Sequence, residues 1–150
     1  MVNIATHDSP LGLIEIGYES QHLCFIRRVD HIIRHEPSPL SDLANLQLQE
    51  YFLGTRREFQ LPILPAGTAF QQAVWNSLLE IPYGEVRTYG EIADRIGKPG
   101  AARAVGQAAN RNPLWIVIPC HRVVGKNGAL TGYAGGLQMK QFLLNIENNT

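Results

Sequence analysis

Cys120 and His121 stand side by side directly after an unbroken apolar run, Leu114-Trp115-Ile116-Val117-Ile118, interrupted only by Pro119. A thiolate is a strong nucleophile, but it needs a base to take its proton and a third group to orient that base. A free cysteine after such a run is ordinarily a small core residue. Three features oppose that reading here. Pro119 removes an N–H and ends regular pairing, which predicts a sulfur exposed at a broken strand end. His121 and Arg122 are polar where a buried strand would carry none. Basic surroundings also favour thiolate over thiol, lowering the pKa from about 8.5. Neighbouring residues of an extended chain point to opposite faces, so a bend or a bridging water must connect imidazole and sulfur. The orienting group is sought on the C-terminal helix, whose Met139, Phe142, Leu143 and Ile146 form an apolar stripe with Glu147 at its edge. A carboxylate near a helix C-terminus opposes the macrodipole. That position suits either a plain surface glutamate or one kept there to hold His121.

The elements around this centre are readable from periodicity. Ile14, Ile16 and Tyr18 alternate with other residues before a polar Glu19-Ser20-Gln21 turn and Leu23–Val29, predicting a β-hairpin. A His- and Pro-containing loop follows, and Ser41 is read as the N-cap of a helix that Gly54 stops. Two prolines and a glycine in Leu61–Gly67 predict a linker and place a domain boundary there. Thr68 with Gln71 and Thr88 with Glu91 form capping boxes, opening one helix that ends near Pro82 and a short one over Tyr89–Ile96. After Gly97-Lys98-Pro99-Gly100, a further helix spans Ala101 to about Asn110, and the pair reads as a helix-turn-helix. That second helix is built of Ala and Gly, including Ala102 and Gly106, with Arg103 and Gln107 as its long polar side chains. Such a helix suits either tight packing within the domain or close entry into a groove, and it is poor in base-reading groups.

The chain has 150 residues, 45% of them hydrophobic, enough for a real core, and its overall charge is zero. That sum hides a split: residues 1–84 carry 5 basic against 9 acidic side chains, whereas residues 85–126 carry 7 against 3. A basic region beside an acidic one fits a single polyanion-facing side, as well as chance clustering. No apolar run approaches the roughly 20 residues of a membrane span, so no membrane partner is expected. Met1–Asp8 shows no basic region leading into an apolar run, which predicts a cytoplasmic chain with Cys24 and Cys120 reduced.

Ile118-Pro119-Cys120-His121-Arg122-Val123-Val124 resembles the active-site motif of the O6-alkylguanine-DNA alkyltransferases, the methylated-DNA–protein-cysteine methyltransferases. Pro82-Tyr83-Gly84-Glu85-Val86-Arg87-Thr88-Tyr89, Ala102-Arg103-Ala104-Val105-Gly106, Asn112-Pro113 and Gly132-Tyr133-Ala134-Gly135-Gly136-Leu137 follow the same family's order and spacing. Residues 68–148 carry the resemblance strongly; the N-terminal half carries it through Ser9-Pro10-Leu11-Gly12 and the hairpin–helix pattern. The resemblance implies an α+β protein. Its small ribonuclease H-like N-terminal domain would span residues 1–65, followed by a helical, winged-helix-like domain over residues 66–150 that holds the helix-turn-helix.

It also implies roles. Cys120 would take the alkyl carbon from guanine O6, and the substrates implied by the family extend to O4-alkylthymine. His121, through a water, and Glu147 would hold the thiolate. Tyr89 would help rotate the nucleotide out of the stack and give a proton toward the leaving guanine, while Arg103 fills the gap. Ala102, Gly106 and Gln107 would lie against the minor groove. Asn112 would be the hinge between recognition helix and active-site strand, and Tyr133, Ala134, Gly135 and Trp115 would line the base pocket. Ala134 stands where some relatives carry Ser, leaving backbone N–H groups to serve O6, and Trp115 replaces a smaller residue. No cofactor is implied. Cys24 with His7, His22, His31 and His35 makes no clear zinc set, so no metal is expected. The expected partner is duplex DNA carrying O6-alkylguanine, bound by a monomer acting once. The residues alone leave open a non-reacting DNA-lesion binder and a thiol enzyme acting on peptides or redox partners. The resemblance favours repair.

Overall fold

The computed structural model describes residues 1–149. Three strands, Asn3–Ser9 (β1), Gly12–Glu19 (β2) and His22–Arg28 (β3), form an antiparallel sheet in that order. The hairpin expected from alternation is β2–β3. Alternation does not reveal β1, because its apolar residues do not alternate; the antiparallel ladder with β2, from Asn3–Tyr18 to Ser9–Gly12, holds it. The loop after β3 returns along its outer edge, where Glu36 N–H donates to Ile4 O at 2.7 Å and Thr6 Oγ1 to Arg34 O at 2.8 Å. An edge covered in this way offers no template for further pairing. The β2–β3 register shifts between Gly17 and Tyr18, and a Cβ at Gly17 would lie 2.2 Å from the Phe25 ring, so a larger residue there would have to displace that ring.

Helix α1, Pro39–Phe52, is capped by Ser38 and not by Ser41. Proline has a helical φ and no N–H to satisfy, so Pro39 starts the helix one turn earlier and Ser41 becomes the N3 partner of the capping box. Its inner face, with Ala44, Leu48 and Tyr51, is buried in the shared core. Both capping boxes expected further on are present, opening α2 (Ala69–Leu79) and α3 (Tyr89–Arg95). Helix α4 covers Ala102–Asn110 and α5 Leu137–Asn148, while Arg87–Thr88 (β4) pairs in parallel with Val123–Val124 (β5). The Trp75 indole N–H donates to Ala108 O at 2.9 Å and locks α2 onto α4. The chain is thus mixed α/β, with a small sheet and one helix first and a helical part after it. No described helix is long and apolar enough to cross a membrane.

The free edge of β3 takes two separate segments: Leu64 N–H donates to Leu23 O at 2.9 Å, and Ile26 N–H donates to Pro113 O at 2.9 Å. The segment expected to be a linker is therefore tied to the sheet. The stretch leading to Cys120 is tied to the same strand, so β3 helps position the thiol.

Candidate active site

Leu114–Ile118 is not a strand. Leu114 makes a single bridge to Ile26, and the chain then folds into consecutive tight turns. Val117 N–H reaches Trp115 O at 2.9 Å across Ile116, whose φ of 74° is rare for a β-branched residue. Ile118 N–H closes back on Leu114 O at 3.0 Å, and Cys120 N–H on Ile118 O at 2.8 Å across Pro119 (φ −81°, ψ 65°), an inverse γ-turn. Cys120–Arg122 complete a short 3-10 turn. Continuous hydrophobicity reports burial and cannot distinguish a buried strand from a buried coil of turns.

Asn112 organises this coil. Its Nδ2 donates to Ile118 O at 2.8 Å and to the Cys120 sulfur at 3.2 Å, while its Oδ1 accepts from Leu114 N–H at 2.9 Å. The expected strand beyond Asn112 is thus a coil of turns; Asn112 itself follows the end of α4, braces that coil and touches the thiol. The sulfur is not exposed either, since Cys120 is 4% accessible and closed over by Asn112 and Tyr133. Burial pushes its pKa up to about 11, against the pull of the Asn112 donor and the Lys140 charge. The expected lowering is therefore reversed, because desolvation outweighs the local positive charge. The neutral thiol is the resting form.

His121 and Arg122, expected at an exposed strand end, are also buried. Both turn toward α5. His121 Nε2 lies 2.7 Å from Glu147 Oε2, and Arg122 reaches the same carboxylate through Nε at 2.9 Å and Nη2 at 3.1 Å. Gly84 N–H at 3.2 Å and the Tyr51 hydroxyl at 2.6 Å add two more donors. Burial alone would raise the Glu147 pKa, but hydrogen bonds from His121 and Arg122, with the Arg122 charge, win and hold it down to about 2. Burial lowers the His121 pKa despite Glu147, so the imidazole is neutral. With Nε2–H directed at the carboxylate, the buried Nδ1 has no hydrogen-bond partner. Arg122, counted with the basic region in the sequence, contributes nothing to a charged surface.

Around the thiol, the structure gathers some of the expected pocket residues. Tyr133 is buried beside the sulfur and Trp115 lies 6.2 Å from its ring, whereas Ala134 is exposed. Gly135 is packed so closely that a Cβ would sit 2.4 Å from Met139 sulfur. The Tyr89 hydroxyl donates to Thr131 O at 2.9 Å, and buried Lys140 donates to Thr131 O at 2.8 Å and to Gly132 O at 3.1 Å. Sequence gives no sign of Lys140 as a site residue, since it reads as one solvated lysine among others. Burial brings its pKa down to about 8. On α4, Arg103 and Gln107 are exposed and Ala102 half-buried, and Arg103 has no polar partner among the described residues. Gly106 faces inward, where a Cβ would meet the Tyr89 ring at 3.6 Å. No three His, Cys, Asp or Glu side chains among the described residues are placed to hold a metal.

A family model described as "6-O-methylguanine DNA methyltransferase, DNA binding domain" matches residues 69–149, and one described as "6-O-methylguanine DNA methyltransferase, ribonuclease-like domain" matches residues 2–65. The constitutive methylated-DNA–protein-cysteine methyltransferase of Bacillus subtilis is 48% identical, over 95% of this chain and 93% of its own. The crystal structure of Mycobacterium tuberculosis O6-methylguanine methyltransferase is 46% identical, superposing with a TM-score of 0.90 over 99% of this chain and 94% of that one. The M. tuberculosis protein in complex with DNA, again 46% identical, also gives 0.90, over 97% and 92%. A cysteine held by Asn112, followed by a histidine held on a C-terminal carboxylate and matched along nearly the whole chain, has one consistent explanation: this chain belongs to the 6-O-methylguanine DNA methyltransferase family.

Proposed function

We infer that this protein repairs duplex DNA by moving the alkyl group of O6-alkylguanine onto Cys120, each molecule acting once. The observation that carries the reading is the buried thiol accepting from Asn112 Nδ2 at 3.2 Å, next in sequence to an imidazole anchored on Glu147 with its Nδ1 unpartnered. The alkyl carbon is a soft SN2 centre. The Cys120 S–C bond forms as the C–O6 bond breaks. The thiol proton leaves toward His121 Nδ1, through a water, and guanine regains a proton at N1 as O6 becomes a carbonyl. A thiol with a pKa near 11 is unreactive at rest, so deprotonation accompanies attack. Asn112 offers a preorganised donor to the sulfur as its negative charge grows.

The target base lies inside a duplex and has to be flipped out, at a cost of a few kcal/mol. We assign α3 and α4 as a helix-turn-helix in a winged-helix-like domain over residues 66–150, with residues 1–65 as a ribonuclease-like support. In this reading α4 enters the minor groove with Ala102 and Gln107 against the DNA and Arg103 in the vacated stack, while Gly106, expected at the groove, faces Tyr89 instead. Tyr89 helps rotate the nucleotide and gives a proton toward the leaving guanine, which requires its hydroxyl to release Thr131 O. Tyr133, Ala134, Gly135 and Trp115 line the base pocket, whose opening calls for movement of the 131–136 loop. A local movement is supported by the M. tuberculosis relative, whose structures with and without DNA each match this chain with a TM-score of 0.90. O4-alkylthymine presents the same type of carbon and falls within the same chemistry. One chain carries every group invoked, so a monomer suffices.

Single-turnover incubation with a duplex containing O6-methylguanine should restore one guanine per protein molecule and then stop. Continued turnover, or binding with no restored guanine, would contradict the reading. Arg103→Ala is expected to slow repair in duplex by about 10- to 100-fold, the equivalent of a few kcal/mol of flipping assistance. Reaction with free O6-benzylguanine should change little. Equal losses on both substrates would remove Arg103 from the flipping step.

A further inference from the structure

The donor to Glu147 that comes from outside the C-terminal part is Tyr51, near the end of α1. We propose that Tyr51 is a positioning residue for the alkyl transfer, sharing Glu147 Oε2 with His121 so that the imidazole stays neutral and keeps Nδ1 as a proton acceptor. The proposal rests on the repair reading and extends it to the N-terminal half of the chain.

Three donors converge on that one oxygen: Tyr51 Oη at 2.6 Å, His121 Nε2 at 2.7 Å and Arg122 Nη2 at 3.1 Å. Tyr51 Oη is itself 3.4 Å from His121 Nε2. A carboxylate oxygen supplied by several donors attracts the imidazole proton less than one supplied by histidine alone. The hydroxyl therefore limits how far Glu147 raises the basicity of His121. Tyr51 is completely buried, and its ring is fixed edge-on or tilted against Phe52, Phe59, Tyr83 and His121, with centroids 5.6–6.4 Å apart. Those neighbours leave the hydroxyl little freedom, which is what a positioning group needs. Burial, then the charge of Glu147, drive the phenol pKa well upward, so Tyr51 acts only as a donor. The charged and titratable groups around His121 are Glu147 and Lys140 from α5, Arg122 from its own turn, and Tyr51 from α1, with Tyr83 facing Tyr51.

The test is the pH dependence of methyl transfer from an O6-methylguanine duplex to the full chain under single-turnover conditions. Transfer requires neutral His121, so the rate falls on an acid limb. Tyr51→Phe keeps the ring contacts and removes the hydroxyl. Its acid limb should move to higher pH by about one unit, with the plateau rate lowered by up to about tenfold. Fluorotyrosine at position 51, a stronger donor, should move the limb the other way. A structural role alone would lower the unfolding temperature of the Phe variant and leave the limb in place; that result overturns the proposal, as does an unchanged profile in both variants. Wild-type protein that transfers no methyl group would remove the repair reading and this role together, whereas normal wild-type transfer with unmoved limbs would remove only the role of Tyr51.

Discussion

Glu147→Gln is expected to destabilise the chain by about 3–5 kcal/mol at neutral pH and to reduce alkyl transfer severely. The carboxylate is buried, and it accepts from Arg122 at 2.9 and 3.1 Å, His121 at 2.7 Å, Tyr51 at 2.6 Å and Gly84 at 3.2 Å. Glutamine removes the charge that compensates buried Arg122 and aims an NH2 at a set of donors. Breaking one side of a buried ion pair leaves the partner charge unpaired and costs several kcal/mol. The pH dependence has a definite sign. Glu147 falls from 4.5 to about 2 on folding, so its stabilisation is fully present above pH 4.5 and is lost as pH drops toward 2. Linkage sets that loss at about 3 kcal/mol. Denaturant unfolding of wild type and variant at pH 7 and at low pH checks both statements. The two curves should approach each other in acid. A variant within about 1 kcal/mol of wild type at pH 7 would show that the cluster contributes no net stability.

Asn112→Ala has a smaller effect on stability and a larger one on chemistry. It leaves Leu114 N–H buried without a partner, at about 1–3 kcal/mol, and removes one of the two donors to Ile118 O, which keeps Cys120 N–H. It also releases the turn in which Ile116 is held at a φ of 74°. The sulfur loses the hydrogen bond that does most to offset its burial, so its pKa rises further. Removal of one preorganised donor to a developing anion typically costs about a hundredfold or more in rate. Single-turnover transfer rates against pH should show that loss, deepest near neutrality. A near-normal rate would mean that the contact at 3.2 Å is incidental.

Local signals are legible where local chemistry decides the structure. The Thr68–Gln71 and Thr88–Glu91 boxes start α2 and α3 as expected, because the capping partners lie three residues apart in the chain. Sequence misleads where partners are distant. The loop near residue 35 covers the outer edge of β1, whose other edge pairs with β2 without any apolar alternation to announce it, and the apolar run before Cys120 becomes turns because Asn112 and the edge of β3 satisfy its backbone. Burial of Cys120, His121 and Arg122 reverses the inference from their polarity, since α5 and α1 bring the carboxylate and hydroxyl that let them be buried. Tyr51 and Lys140 give no signal at all. One reads as an ordinary apolar-face residue of α1 and the other as a surface charge on α5, and only the fold turns them toward the site.

Cys120, and no other group, is the acceptor of the alkyl carbon in this mechanism. After incubation with the O6-methylguanine duplex, intact mass followed by peptide mapping should locate one added methylene on the Cys120 peptide. Cys24 should remain unmodified, and Cys120→Ala should gain nothing. A modification on any other residue, or a Cys120→Ala protein that still restores guanine, would contradict that assignment.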